Sequence, residues 1–469
     1  MPPVRRTKIV ATIGPASREP DVLARMVEAG MDVARLNFSH GTAEEHFETA
    51  RRVRDAAGRA GRQVAILQDL PGPKLRIGPL REGVVELKPG DVVTFVCGGE
   101  LEGDASRMSM TWAGLPDAVD EGEVLYLADG AVRLRVERTR SGEVDALVEV
   151  GGSVASRQGL NIPGEAATLP SVPKEDLDHL AVGEQIGVDL VALSFVRRAE
   201  EIEEVRTHTR LPLVAKIEKP QAVARAEEIV RSADCVMVAR GDLGIELRIE
   251  EVPIVQKQVL ALAGALARPS ITATQMRDSM VHSSRPTRAE VADVANAILD
   301  GTDAVMLSQE SAVGSYPVGA VEMLASIAAR TEQTAPYQVW NERRVRRDRR
   351  DPAYTVAYSA TRAAQELGLA ALVCPTLSGR SARLISAHRP TVPIYALSPG
   401  RETVRRCGLM WGVQAASMAR IETTEELIAA ALRRVLELGW CKVGDRVGVT
   451  AGLPSGRPGT TSLLQIQQL

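Results

Sequence analysis

The feature that most restricts this chain is a short apolar run of strand length, rich in Val, Ile, Leu and Ala. It recurs at residues 8–13, 33–38, 64–67, 190–195, 213–217, 235–239, 270–273 and 304–307. The runs lack polar alternation, as expected of parallel strands covered on both faces. Between most of them lie amphipathic segments such as 21–29, 199–207, 222–230 and 251–267. Strand and helix therefore alternate, the mark of the α/β class, and about eight such units close into a (β/α)8 barrel. One helix is legible in detail. After Pro286, Thr287 and Glu290 form a T-x-x-E capping box, Val291, Val294, Ala295 and Ile298 line one face, and Gly301 ends the helix.

The pattern breaks between the third and fourth runs. Residues 84–96 are split by Lys88-Pro-Gly-Asp91 and 124–136 by Ala128-Asp-Gly130, turn signals that predict an all-β insert. The insert leaves near Pro71-Gly-Pro73 and returns near Pro170, narrow rigid connections that suit a hinged lid. Past 335, the basic stretch 341–350 reads as a solvated or subunit-facing linker rather than a polyanion site. Beyond it, strand-like 371–375, 392–397, 413–416 and 446–450 alternate with helices, an open α/β domain. The expected organisation is a TIM barrel from 1–72 and 170–335, a β lid domain from 73–169 and a C-terminal α/β domain from 336–469.

Composition narrows the function. A net charge of −3 and 3% aromatic residues argue against a dedicated nucleic-acid binder. The five cysteines are scattered, odd in number and without a C-x-x-C pair, so neither a zinc site nor a disulfide framework is expected, and a reducing compartment fits. No apolar run reaches the roughly 18 residues of a membrane span, and no signal-like stretch follows the first charges. The reading is a cytoplasmic enzyme of small molecules, with no nucleic-acid or membrane partner.

In a β/α barrel the reacting groups project from the C-terminal strand ends. Here those ends include Arg35-Leu-Asn-Phe-Ser-His40, Gln68-Asp69, Ser194-Phe195, Lys216-Ile-Glu218, Ala239-Arg-Gly-Asp242, Thr272-Ala-Thr274 and Ser308-Gln-Glu310. Lys216 and Glu218 are two apart and so point to one side, toward the barrel axis if Val214 does likewise. Alone they also fit a structural ion pair. Asp242 on the next strand end favours chemistry, because two carboxylates from neighbouring strands can ligate Mg²⁺ or Mn²⁺ and leave the remaining positions to substrate and water. Arg35, Arg76 and Lys216 add positive charge, so the implied ligand carries several negative charges, as phosphate does.

The segments Thr7-Lys-Ile-Val-Ala-Thr-Ile-Gly-Pro-Ala-Ser, Ala34-Arg-Leu-Asn-Phe-Ser-His-Gly, Ala215-Lys-Ile-Glu, Val238-Ala-Arg-Gly-Asp-Leu-Gly, Thr272-Ala-Thr-Gln-Met and Arg285-Pro-Thr-Arg-Ala-Glu resemble pyruvate kinase, nearly end to end. The resemblance implies transfer of a phosphoryl group from phosphoenolpyruvate to ADP, giving pyruvate and ATP, in a Mg²⁺-dependent homotetramer of bacterial type. It implies that Lys216 stabilises the transferring phosphoryl group, that Glu218 and Asp242 hold the metal, and that Arg35 and Arg76 contact phosphate. Thr274, Gly241 and Asp242 would face the pyruvate end, with Thr274, through water, the proton donor to the enolate. Asn37, Ser39, His40 and Arg76 would form the nucleotide corner.

The chain departs from the family pattern in several places. A lysine usually precedes Gly-Val-Asn in the lid hinge, whereas here Gln158 precedes Gly159-Leu-Asn161; the usual Ser-Gly-Glu-Thr is Ser308-Gln-Glu-Ser311. Potassium-requiring members read roughly Asp-Thr-Lys-Gly-Pro-Glu-Ile-Arg, but this chain has Asp69-Leu-Pro-Gly-Pro-Lys74-Leu-Arg76. An ammonium at Lys74 can bring the charge a bound K⁺ would bring, so a potassium-independent enzyme is expected, unless Lys74 merely points to solvent.

In the C-terminal domain Thr376, Ser378, Gly379, Arg380 and Ser381 surround the start of a helix, a geometry that binds phosphate. The resemblance places a phosphorylated effector there, closed over by Gly459 and Thr460, while a plain capped helix is the alternative. Two rival functions remain open in the residues alone: a barrel lyase acting on a metal-bound enolate, and a regulatory protein that keeps the fold but not the activity.

Overall fold

The structure, a computed structural model, describes residues 5–73, 75–99, 101–162, 172–274, 276, 278–335, 351–452 and 461–469. Lys74, Pro170, the basic stretch 341–350, Gly459 and Thr460 lie outside the described residues. Eight parallel strands close the barrel: β1 (Lys8–Thr12), β2 (Val33–Asn37), β3 (Ala65–Asp69), β4 (Leu190–Leu193), β5 (Leu213–Ile217), β6 (Cys235–Ala239), β7 (Ser270–Ala273) and β8 (Ala304–Leu307). They follow chain order, and β1 closes on β8 with Lys8 opposite Ala304.

Alternation within each run divides the barrel into two cores. Val10, Val33, Leu67, Val214, Met237 and Ile271 fill the interior. Ile9, Ile66, Val191, Ala215, Val236 and Val305 face outward onto the helices. The capping box forms as expected on helix Arg288–Leu299, with Glu290 N–H donating to Thr287 Oγ1, and Val294 is fully buried. The expected single helix over 222–230 is instead two, Pro220–Ala224 and Ala226–Ser232, because Arg225 between them leaves helical geometry at φ −108°, ψ 22°.

The β insert holds a six-stranded sheet and a two-stranded one. Ala128–Gly130 joins the antiparallel strands Val124–Leu127 and Val132–Arg140. Lys88-Pro-Gly-Asp91 is not a hairpin: Val84–Leu87 pairs with Gly152–Ala155, whereas Val92–Cys97 pairs with Glu143–Val150. The turn passes the chain from one sheet to the other. The C-terminal domain is a five-stranded sheet in the order Val413–Ser417, Ile394–Ser398, Ala371–Pro375, Arg446–Gly452, Thr461–Gln468, the last strand antiparallel.

This domain fastens to the bottom of the barrel, opposite the C-terminal strand ends. Lys8, the first residue of β1, donates to the Val413 carbonyl at 2.7 Å, and burial pushes its ammonium below the usual lysine range. Arg389, wholly buried, pairs with Asp303 just before β8 at 2.7 Å and stacks on Trp411. Asp189, just before β4, takes Arg405 from the C-terminal domain and Arg54 from the barrel, each at 2.7 Å. Leu409 joins the barrel's interior core from below. The five cysteines are free thiols, and no helix of the described residues is long and apolar enough to cross a membrane.

Candidate active site

At the mouth, β5 delivers Lys216, and Glu218 follows one residue beyond the strand. Lys216 Nζ lies 2.9 Å from Glu218 Oε1, 3.3 Å from Asp69 Oδ1 and 2.7 Å from Ser194 Oγ, which it donates to. Asp69, at the end of β3, also takes Arg35 Nε from β2 at 2.6 Å, and Arg35 donates to Thr12 Oγ1 at 2.9 Å. Lys216 is 9% exposed, Asp69 1% and Glu218 0%, so these charges are shielded from water and act on one another strongly. Burial alone would lower the Lys216 pKa, but Asp69, Glu218 and Asp242 overcome it and hold the ammonium above its ordinary range. Burial pushes Asp69 up, yet Lys216 and Arg35 bring it below the usual carboxylate range. Glu218 is pushed up by burial, with Asp242 adding to the rise and Lys216 opposing it.

Asp69 and Ser194 stand at strand ends in the sequence but were not expected to hold Lys216. Their signal is the strand-end position alone. Phe195, at φ 58°, spends its N–H on Glu218 Oε2 at 2.7 Å, so a strained backbone fixes that carboxylate.

Beside β5, helix Arg240–Glu246 begins directly after β6 and carries Asp242 in its first turn. Thr274, at φ 66°, accepts the Gly241 N–H on Oγ1 at 2.6 Å and donates to the Ala273 carbonyl at 2.7 Å. Arg240 holds the Thr274 carbonyl at 2.8 Å and pairs with Asp293 at 2.7 Å. Of the expected pyruvate-end groups, the Gly241 N–H is therefore spent on Thr274 in this arrangement. Asn37, Ser39 and His40 follow one another at the end of β2, where Asn37 Oδ1 accepts the Ser39 N–H at 3.2 Å. Gln309 is exposed, and Ser311 donates to the Thr12 carbonyl at 2.9 Å.

Arg76 sits apart, on the stalk of the lid. Its guanidinium donates to the Arg157 carbonyl at 3.1 Å, and among the described residues none of its hydrogen bonds reaches the barrel. The stalk meets the site at Gly72. Gly72 has φ 71°, and a Cβ there would stand 2.9 Å from Ser194 Cβ and 3.0 Å from Phe195 Cδ2, so only glycine fits.

The Gly72 N–H bonds the buried carboxylate of Asp176 at 3.1 Å. Burial, opposed by that N–H, raises the Asp176 pKa to about 7. The native state thus keeps a proton that the unfolded chain has released between its ordinary 3.8 and about 7, so stability falls as pH rises through that window. Asp176→Asn keeps an acceptor for Gly72 without the charge. We expect it to gain about 1–3 kcal/mol over the parent near pH 8 and nothing near pH 4. Urea unfolding at the two pH values checks this, and an equal difference at both would contradict it.

The residues fit a cation. Lys216 and Arg35 face the buried carboxylate of Asp69, Lys216 also that of Glu218, and the half-buried Asp242 is near enough to act on Lys216. Glu218 Oε1 and Asp69 Oδ1 are buried oxygens that face the Lys216 ammonium at 2.9 and 3.3 Å and have no aligned hydrogen bond among the described residues. Hard carboxylate oxygens that a cation neutralises without directed hydrogen bonds suit a divalent ion that prefers oxygen.

Comparison with known proteins gives the site its lineage. A family model described as "Pyruvate kinase, barrel domain" matches residues 4–321, and one described as "Pyruvate kinase, alpha/beta domain" matches 354–467. The chain belongs to the pyruvate kinase family. A pyruvate kinase of Geobacillus stearothermophilus is 42% identical over 470 residues, covering 98% of this chain and 80% of the relative. One of Agrobacterium vitis is 41% identical over 466 residues, covering 99% and 98%. The crystal structure of a pyruvate kinase from Cryptosporidium parvum superposes with a TM-score of 0.90 at 32% identity, covering 99% of this chain and 96% of that one. The chain is thus a phosphotransferase enzyme with the barrel, β domain and C-terminal α/β domain of pyruvate kinases.

In the C-terminal domain, strand Ala371–Pro375 runs into a loop whose Thr376 Oγ1 accepts the Gly379 N–H at 3.0 Å. Gly379, at φ 81°, opens helix Arg380–Ala387 without a side-chain cap. Ser378 lies between them. Ser381 Oγ is 2.6 Å from Thr461 Oγ1, so the last strand abuts the helix start, and Arg380 pairs with Asp351.

Proposed function

We propose that the barrel mouth transfers the phosphoryl group of phosphoenolpyruvate to ADP, releasing pyruvate and ATP. The observation that carries this is the buried cluster in which the Lys216 ammonium is held by Ser194 Oγ and by Asp69 Oδ1 and Glu218 Oε1, carboxylate oxygens that have a cation but no aligned hydrogen bond among the described residues. Phosphoryl transfer asks the protein for alignment and for neutralisation of spreading charge, and this cluster offers both. Glu218 and Asp242 would hold Mg²⁺ or Mn²⁺, which when bound neutralises phosphate charge and orients the donor. Lys216, kept protonated by its carboxylates, meets the transferring group as a fixed cation rather than as an acid. Arg35 and Arg76 bind phosphate, Asn37, Ser39 and His40 form the nucleotide corner, and Asp242, Thr274 and Gly241, once its N–H leaves Thr274 Oγ1, receive the pyruvate end. Thr274, through water, delivers the proton to the enolate. A coupled assay of pyruvate formation from phosphoenolpyruvate and Mg²⁺, with and without ADP, tests it. Turnover that does not need ADP would point to a lyase, and none at all to a regulatory protein.

The enzyme is read as a bacterial-type, potassium-independent homotetramer acting in the cytoplasm, with boundaries at 72/73, 169/170 and 335/336. Lys74, five positions after the third strand in the sequence, supports potassium independence as a lysine where potassium-requiring members carry a glutamate. Rates in potassium-free tetramethylammonium buffer should match those in K⁺ within about twofold, and Lys74→Glu should create a K⁺ requirement. Large activation of the parent by K⁺ would refute it. A phosphorylated effector at Thr376, Ser378, Gly379, Arg380 and Ser381, under Gly459 and Thr460, is supported by the uncapped helix start, although Asp351 already engages Arg380.

A further inference from the structure

The lid stands on a zipped two-stranded stalk, in which Leu160 N–H donates to the Leu75 carbonyl at 2.9 Å and Ile77 N–H to the Gln158 carbonyl at 3.0 Å. Two of its glycines touch the barrel mouth. Gly72, where the stalk begins, packs on the ring of Phe195, since a Cβ there would lie 3.0 Å from Phe195 Cδ2. Gly130, in the lid turn Ala128–Gly130, rests on helix Arg240–Glu246, since a Cβ there would lie 3.2 Å from Ile245 Cγ1. These two places belong to the two carboxylates read as metal ligands. Phe195 spends its N–H on Glu218 Oε2 at 2.7 Å, and helix Arg240–Glu246 carries Asp242 in its first turn.

Lys219 spans the two segments. It follows Glu218 directly, and Pro220 after it disfavours helical geometry, so its backbone is extended at φ −120°, ψ 148°. Its Nζ pairs with Glu246 Oε1 at 2.6 Å and lies 5.7 Å from the centre of the Phe195 ring, close enough for the cation to be drawn to the π face. The Lys219 and Glu246 side chains are 15% and 1% exposed, so little water screens the pair. The helix held in this way needs a fastening. At seven residues it is too short to persist on its own hydrogen bonds. Glu246 is its last residue, where the carbonyl end of the helix opposes a negative charge, and an ammonium there offsets that cost. Asp242 and Glu246 are four positions apart and so share a face, which means that fixing Glu246 fixes the side of the helix from which Asp242 projects.

We propose that Lys219 is a positioning residue of the metal site: by clamping Glu246 to Phe195 it holds the helix that carries Asp242 against the segment that fixes Glu218. The inference rests on the phosphoryl-transfer reading above and adds to it the group that sets the two carboxylates relative to each other for a divalent ion. The charge of Lys219, next in sequence to Glu218, repels such an ion, so what the residue contributes is geometry.

Mn²⁺ titration of the full-length enzyme without substrates, followed by the paramagnetic resonance signal of the free ion, tests this beside steady-state kinetics in Mg²⁺. Lys219→Met keeps the reach of the side chain and removes its charge, Lys219→Arg keeps the charge, and Glu246→Gln loosens the other end. The expected result is a rise of about tenfold in Kd for Mn²⁺, and in the Mg²⁺ concentration giving half-maximal rate, in Lys219→Met and in Glu246→Gln, with KM for ADP at saturating Mg²⁺ within about twofold of the parent. Arginine should recover most of the loss. The double variant Lys219→Met with Glu246→Gln should lose little more than either alone, because both remove one contact. The sign of the change separates positioning from bulk charge: removing a mere nearby cation would tighten Mn²⁺. Tighter or unchanged Mn²⁺ binding in folded Lys219→Met would overturn the proposal, as would arginine failing to rescue. Should Lys219→Met not fold, Glu246→Gln decides by the same titration, and unchanged Mn²⁺ binding there overturns it. A parent that binds Mn²⁺ yet forms no pyruvate from phosphoenolpyruvate and ADP would instead remove the phosphoryl-transfer reading and leave the clamp standing.

Discussion

Replacing Lys216 with methionine lowers kcat by about a thousandfold or more and moves KM for phosphoenolpyruvate only a few-fold. The reason lies in where charge develops. In the ground state the phosphate shares its charge with Arg35 and the metal, whereas in transfer it spreads over oxygens that a fixed ammonium can meet. The carboxylates around Lys216 hold it protonated and in place before substrate arrives, so little reorganisation is left to the reaction. The same variant leaves Asp69 with Arg35 alone and Glu218 without a cation, so we expect a loss of about 2–4 kcal/mol in stability. Single-turnover rates and thermal melting measure the two effects separately. A kcat within tenfold of the parent would remove Lys216 from the chemistry.

The other large effect is structural. Val294 is completely buried on the inner face of helix Arg288–Leu299, within the core between barrel and helices. Val294→Asp puts a carboxylate there with no cation to pair it, at a cost of about 4 kcal/mol or more, against a total stability of about 5–15 kcal/mol for a domain. The expected product is insoluble or unfolded. Val294→Ala, which only removes volume, should stay folded and active. A soluble Val294→Asp protein with normal melting would contradict the packing.

Val294 was legible because helical periodicity and a capping box are local signals, and β1 to β8 were legible because each is a self-contained apolar run. Lys216, Glu218 and Asp242 followed from the rule that barrel chemistry sits at strand ends. The residues that sequence reasoning passed over act across distance. Asp176 looks like an ordinary acid in a helix's first turn, and only the fold brings it to Gly72, 104 positions away. Arg389 and Asp189 look solvated, yet both are buried where two domains meet. The turn at Lys88-Pro-Gly-Asp91 signals a reversal, but which strand the chain then joins is decided by partners more than fifty residues on. Strand Thr461–Gln468 escaped because its glutamines mask an edge position that needs only one covered face.

The zipped stalk of the lid has a further consequence for how such a chain is assembled. Leu75 and Leu160 share a hydrogen bond of 2.9 Å, and β3 and β4 on either side of the insert pair directly, Leu67 opposite Leu190. The barrel closes without help from the β domain, and the β domain begins and ends at one point. The gene is therefore divisible there: the insert can be excised and bridged by a short turn, or exchanged for another module with neighbouring termini, while the barrel beneath keeps its closure.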